Sequence, residues 1–306
     1  MPDLSAESGR EKLHPGPAGP VRSPDRTRSR GAPGGPPPGL TMPPLVAVAH
    51  GSKDPRAAVM IGGLLAVTRA RAAGMGLPGL NVRTAFLDHA APSLPQVLAS
   101  LTPEYRGCVV VPLLLTAAYH TEKDIPGQIA KTRSAYPGLD VVQAGPLGPH
   151  RLLLRAADRR LRQAWRGPRD ETSVVLAAAG SSAPSANAAN AALAAKLQET
   201  GGWRRVAVAY ASAASPTPAE AVAALRADGG PVVVATYLLA PGYFADKVRD
   251  TSLAAGATAV TGVLGAAPEI ADVIIARYLT CFADQPAPTD LPGAAGQAAA
   301  PLVARV

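Results

Sequence analysis

Short apolar runs alternate along this chain with longer segments in which apolar residues recur every three or four positions. Leu45-Val46-Ala47-Val48-Ala49 is apolar throughout, as a strand covered on both faces is. Similar runs recur at 81–87, 107–115, 139–144, 173–179, 204–210, 231–239 and 258–263. The segments between them read as helices. In one, Ala186, Ala189, Leu193 and Leu197 repeat at spacings of three, four and four. Asp54 followed by Pro55 reads as a helix N-cap and first helical residue: the carboxylate accepts from an exposed amide, and proline lacks the N–H that would be orphaned there. Strand–helix alternation of this kind predicts an α/β fold, with parallel sheets covered by helices on both faces.

The pattern also repeats on a larger scale. His50-Gly51-Ser52-Lys53-Asp54-Pro55 aligns with Ala179-Gly180-Ser181-Ser182-Ala183-Pro184. Phe86 and Pro92 align with Tyr210 and Pro216, the run from Val109 to Lys123 with Val233 to Lys247, and Gly145-Pro146-Leu147-Gly148 with Gly262-Val263-Leu264-Gly265. Landmarks in the same order at nearly constant offset indicate a duplicated α/β unit. The expected division is a first lobe over 42–166 and a second over 171–283, with the boundary near Arg166-Gly167-Pro168-Arg169-Asp170. The halves agree at Gly, Pro, Tyr and apolar positions, which set turns and packing. They differ where His50 faces Ala179 and His120 faces Phe244.

Residues 1–41 are rich in Pro, Gly, Ser and Arg and lack apolar periodicity, which predicts a disordered tail. Met42 stands directly before the first strand, so translation could begin there. A second low-complexity tail is expected over 284–306. At 47% hydrophobic and 17% charged residues the rest is globular in character. Two distant cysteines, Cys108 and Cys281, argue for a reducing compartment and against a disulfide framework. With no secretory pattern and no unbroken apolar run near the roughly 20 residues of a membrane span, a cytoplasmic protein without membrane attachment is expected. The net charge of +8 suits solubility or attraction of a polyanionic small molecule. At 4% aromatic residues, with no basic run interleaved with aromatics, nucleic acid is not an expected partner.

Ligands of parallel α/β sheets bind outside the carboxyl ends of the strands. His50 directly follows the first strand and His120 the third, so both are expected at one sheet edge. Either alone reads better as a structural histidine, His50 at the strand end and His120 packed in a loop. Together they form a nitrogen-donor pair suited to Fe2+, Co2+, Ni2+ or Zn2+. Asp88, at the end of the second strand, is a candidate third ligand or proton acceptor, or else caps the following turn. His89 is expected to point the opposite way along an extended chain. His150 reads as a helix start. Ser52, Lys53, Arg56 and Lys123 flank the same rim and are candidates for binding a substrate's anionic groups.

These stretches resemble a known family. Val46 to Arg56, Ala85-Phe86-Leu87-Asp88 with Ala91-Pro92-Ser93-Leu94, Val109 to Leu115 with Ala118-Tyr119-His120 and Lys123-Asp124-Ile125-Pro126, and Gly145 to His150 are similar to the sirohydrochlorin chelatases, the class II, two-lobed tetrapyrrole chelatases. The resemblance spans roughly 43–283. It implies two lobes facing a cleft that holds the tetrapyrrole, with His50 and His120 as metal ligands and Asp88 at the family's acidic position. The implied reaction inserts Fe2+, for siroheme, or Co2+, for cobalamin, into a sirohydrochlorin-type ring, with the metal as substrate and no organic cofactor. The chain is read as a monomer. The rival reading is a metal- or tetrapyrrole-binding carrier without turnover.

Overall fold

The structure, a computed structural model, describes residues 42–116 and 123–282. The expected tails, and His120 with its neighbours, lie outside the described residues. Eight strands and eight helices alternate among those described: β1 (Leu45–Ala49), α1 (Pro55–Gly74), β2 (Val82–Phe86), α2 (Leu94–Leu101), β3 (Gly107–Pro112), α3 (Ile125–Ala135), β4 (Asp140–Gln143) and α4 (Arg151–Ala164) form the first series. The second is β5 (Ser173–Ala178), α5 (Pro184–Gly201), β6 (Arg205–Tyr210), α6 (Pro218–Ala227), β7 (Val232–Tyr237), α7 (Tyr243–Ala254), β8 (Ala259–Val260) and α8 (Pro268–Thr280). Each series builds a four-stranded parallel sheet, ordered β2-β1-β3-β4 and β6-β5-β7-β8.

The duplication extends to individual hydrogen bonds. The Phe86 amide donates to the Pro92 carbonyl at 2.9 Å, and the Tyr210 amide donates to Pro216 at the same distance. Asp54 caps α1 by accepting from the Arg56 amide, with Pro55 opening the helix. Gln96 accepts from the Ser93 amide at the start of α2, as Glu220 does from the Thr217 amide before α6. These local signals start the helices where the sequence places them.

Strand residues alternate between two apolar layers. Leu45, Ala47 and Ala49 of β1 face one, and Val46 and Val48 the other. Val174 and Leu176 of β5 share the layer of Leu45, while Val175 and Ala177 face a third cluster. The shared layer is therefore one core running through both halves. The last helix of each series holds it together by crossing over: α8 packs on α1 and β3 of the first series, and α4 packs on β7 and α5 of the second. Ile270 and Ile274 of α8 and Leu153 and Leu161 of α4 are fully buried there.

Three expectations need correction. The apolar runs 107–115 and 231–239 outlast their strands, because Leu113–Leu115 and Leu238–Leu239 line a cleft instead of extending the ladder. In α5 the buried stripe is Ala186, Asn190, Ala194 and Leu197, while Ala189 and Leu193 turn toward a groove beside α4. By length and composition α1 is apolar enough to cross a membrane, which a search for unbroken apolar runs overlooks. In this fold Ile61, Leu64 and Leu65 of that helix pack in the shared core.

Candidate functional site

In both sheets the chain order reverses beside the first strand, between β1 and β3 and between β5 and β7. Such switch points open a crevice at the strand carboxyl ends. One cleft of about 770 Å³ spans both. Its first-lobe wall comes from the residues after β1 and β3, including His50, Gly51, Ser52, Lys53 and Leu113–Thr116. Its second-lobe wall comes from Ala178–Ala183 and Tyr237–Ala245. A larger groove of about 1040 Å³ lies between α4 and α5, rimmed by Arg151, Arg155 and Lys196, and holds His150 as its one imidazole. That imidazole is occupied as a helix cap, its Nδ1 accepting from the Leu152 amide. The strand-end cleft is where chemistry has donors to work with.

His50 leaves β1 exposed at the cleft, with Nδ1 3.2 Å from the Gly51 carbonyl oxygen. A carbonyl only accepts, so this contact is a hydrogen bond in the tautomer protonated on Nδ1, in which Nε2 is the ring's acceptor. Gly51 makes the turn possible: its φ is 94°, and a Cβ there would fall 1.7 Å from the Asp88 carbonyl oxygen. The turn is pinned by the Asp88 amide, which donates to the His50 carbonyl at 2.9 Å. Gly180 repeats the device in the second lobe, with φ 85° and a Cβ position 1.9 Å from the Ser212 carbonyl oxygen.

His89 also lines the cleft, and its ring centroid lies 6.5 Å from that of His50. Strand alternation pointed it away. Its φ of 58° breaks the extended geometry and swings the side chain round. Asp88 is the residue displaced from the cleft wall. Its carboxylate accepts from the His89 amide at 2.7 Å and lies 3.3 Å from His89 Nε2. The second-lobe wall combines apolar and aromatic side chains with Ser181, Ser182, Asn190 and Ser212, and among its described residues carries no imidazole. Phe244 stands where the first half has His120, and beside it Tyr243 is 74% exposed, the two rings 5.6 Å apart.

The CbiX family model matches residues 44–164 and 173–281, most of the chain and both halves of the duplication. The chain belongs to the CbiX family. Over 167 residues it is 29% identical to the sirohydrochlorin ferrochelatase of Priestia megaterium, covering 54% of this chain and 63% of the relative. It is 25% identical over 174 residues to the sirohydrochlorin cobaltochelatase of the same organism, covering 55% of this chain and 57% of the relative. The chain thus spans about three fifths of the length of these curated relatives. Among solved structures it is similar to SirB from Bacillus subtilis with Fe3+, at a TM-score of 0.69 and 23% identity, covering 80% of this chain and 97% of that one. A second SirB structure, in complex with cobalt, superposes at a TM-score of 0.65 and 21% identity, covering 78% and 94%. These likenesses establish the two-lobed α/β fold.

Within this CbiX-family chain the expected site residues separate. His50, Ser52 and Lys53 line the cleft; Asp88, Arg56 and Lys123 do not. The Ser52 hydroxyl accepts from the Asp54 amide and so holds the turn. The Arg56 guanidinium donates to Asp54 and, across the lobes, to Asp246 at 2.5 Å. Its hydrogen bonds hold both carboxyls below the usual carboxylate range. Arg56 is thus engaged as an inter-lobe tie, a role invisible in sequence because its partner lies 190 residues away. Lys123 is exposed at the start of α3, while its counterpart Lys247 donates to the Ala211 carbonyl. His89 was missed by sequence reasoning. The only available signal was that an imidazole stands where the second half has Ala213.

Proposed function

We propose that this chain inserts Fe2+ or Co2+ into a sirohydrochlorin-type tetrapyrrole held in the inter-lobe cleft. The observation that carries the reading is the cleft's asymmetry: among the described residues, imidazoles line the first-lobe wall alone, while the second offers aromatic, apolar and small polar side chains. A flat macrocycle between such walls presents one face to the nitrogen donors. Insertion exchanges the ion for two pyrrole N–H protons, so it balances without oxidant, reductant or nucleotide. His50 Nε2 holds the ion and displaces part of its water shell. An imidazole also accepts protons near neutral pH. His120 enters as second ligand on the sequence resemblance. Lys53, at the cleft rim, offers a cation to the ring's carboxylates, and Tyr243 and Phe244 offer flat contact area.

The names of the relatives support this chemistry, and both a ferrochelatase and a cobaltochelatase are among them. Iron and cobalt both suit imidazole donors, and siroheme synthesis is the broader need. The fuller reading is a monomeric cytoplasmic enzyme of two lobes, 42–166 and 171–283, needing no organic cofactor.

The test is the absorbance change of sirohydrochlorin on metal insertion, followed anaerobically with Fe2+ and separately with Co2+. Wild-type chain should exceed the spontaneous rate, and His50→Ala should lose at least about a hundredfold of that excess. His50 is exposed, so the fold should survive its removal. Stoichiometric binding without turnover in the wild type would instead identify a carrier. Near-normal insertion by His50→Ala would sink the mechanism.

A further inference from the structure

We propose that His89 is a metal donor of this site, in addition to those the family resemblance supplies, and that Asp88 sets its tautomer. The inference rests on the reading of the cleft as a metal-loading site.

Geometry comes first. A metal–imidazole bond of about 2.0–2.1 Å puts each ring centroid roughly 3.2 Å from a shared ion. Two rings on one ion therefore lie at most about 6.4 Å apart. His50 and His89 stand at 6.5 Å, with their planes inclined at 44°. That limit holds for rings facing each other across the ion, so both exposed rings must turn and close slightly to share one. Among the described residues no three His, Cys, Asp or Glu side chains converge tightly enough to hold a metal.

Tautomers come second. The Asp88 carboxylate, 3.3 Å from His89 Nε2, favours the proton on that nitrogen and leaves the Nδ1 lone pair for the metal. This is a carboxylate–histidine–metal arrangement, in which the outer carboxylate orients the ring and raises its basicity. The cleft lining takes in the His89 ring, with the Asp88 carboxylate beside it. The ion would then sit between His50 Nε2 and His89 Nδ1.

The duplication supplies the third argument. Ala213, the counterpart of His89, has φ 57° against 58°. The positive φ is thus a property of the duplicated turn and needs no metal to explain it. What differs is the load: His50 and His89 in the first half, Ala179 and Ala213 in the second. Both described imidazole positions are empty of donors together in the half that keeps the turns. Because alanine already occupies this conformation in the second lobe, His89→Ala is a clean variant.

The experiment is a Co2+ titration of the full chain without tetrapyrrole, read by calorimetry and by visible absorption of the bound cobalt. His89→Ala should weaken Co2+ at least about tenfold and shift the visible bands, while circular dichroism stays unchanged. Asp88→Asn, which keeps the size but weakens the grip on the ring, should weaken Co2+ about tenfold through an outer partner. If His50→Ala loses Co2+ while His89→Ala binds with wild-type affinity and spectrum, the role of His89 is overturned and the metal site survives. If His50→Ala also binds as wild type, the metal-loading reading itself falls.

Discussion

Gly51→Ala asks whether the turn after β1 is what keeps the metal donors in place. The added Cβ would start 1.7 Å from the Asp88 carbonyl oxygen, and real Cβ contacts stay beyond about 3.0 Å, so the Asp88 backbone must move by about 1.3 Å. That backbone carries His89 on its next residue and donates from the Asp88 amide to the His50 carbonyl. Holding alanine at φ 94° costs about 1–3 kcal/mol. The steric push costs about 1–3 kcal/mol more, less whatever the loop relieves by shifting. We expect about 2–5 kcal/mol of destabilisation from these two effects in urea unfolding. The duplicated fold provides the control, since Gly180→Ala meets the Ser212 carbonyl oxygen at 1.9 Å with φ 85°. Both variants should lose comparable stability. Only Gly51→Ala should lose Co2+ affinity measured without tetrapyrrole, by tenfold or more, because displacements near 1 Å at a working site are costly. Wild-type stability in both variants would refute the steric argument. Equal loss of Co2+ affinity in both would refute the assignment of the metal to the first lobe.

Ile274 of α8 is fully buried in the core shared by both halves, so Ile274→Ala should cost about 2–5 kcal/mol. Amide exchange in β1 and β5 should accelerate together, and protection retained in one sheet alone would show that the halves unfold separately. His150 caps α4 through an unprotonated Nδ1, and burial followed by the nearby Arg277 and Arg151 charges pushes its pKa below the ordinary value. Between the folded and unfolded pKa values the unfolded chain binds more protons, so stability should fall as pH drops below about 6.5 and level off once the folded imidazole is also protonated. His150→Asn, which can still cap, should flatten that part of the melting profile, and an unaltered profile would falsify the assignment.

The parallel α/β class, the duplication, the cap at Asp54 and the helix start at His150 were legible in the sequence. Each is written in local periodicity or in a few adjacent residues. His50 was legible as well, because the end of a buried apolar run fixes where the first residue beyond the sheet emerges. The rest depended on three-dimensional placement. Alternation along an extended strand points His89 away from the cleft, and one positive φ brings it to the wall. Arg56 reads as a rim cation until Asp246 arrives from the other lobe to engage it. Likewise the exchange of α4 and α8 between the sheets leaves no local signature, since an amphipathic helix buries the same stripe against either one. Periodicity specifies which face of an element is covered. Only the closed chain decides what covers it, because that choice is made by contacts between residues far apart in sequence and by backbone angles that composition does not encode.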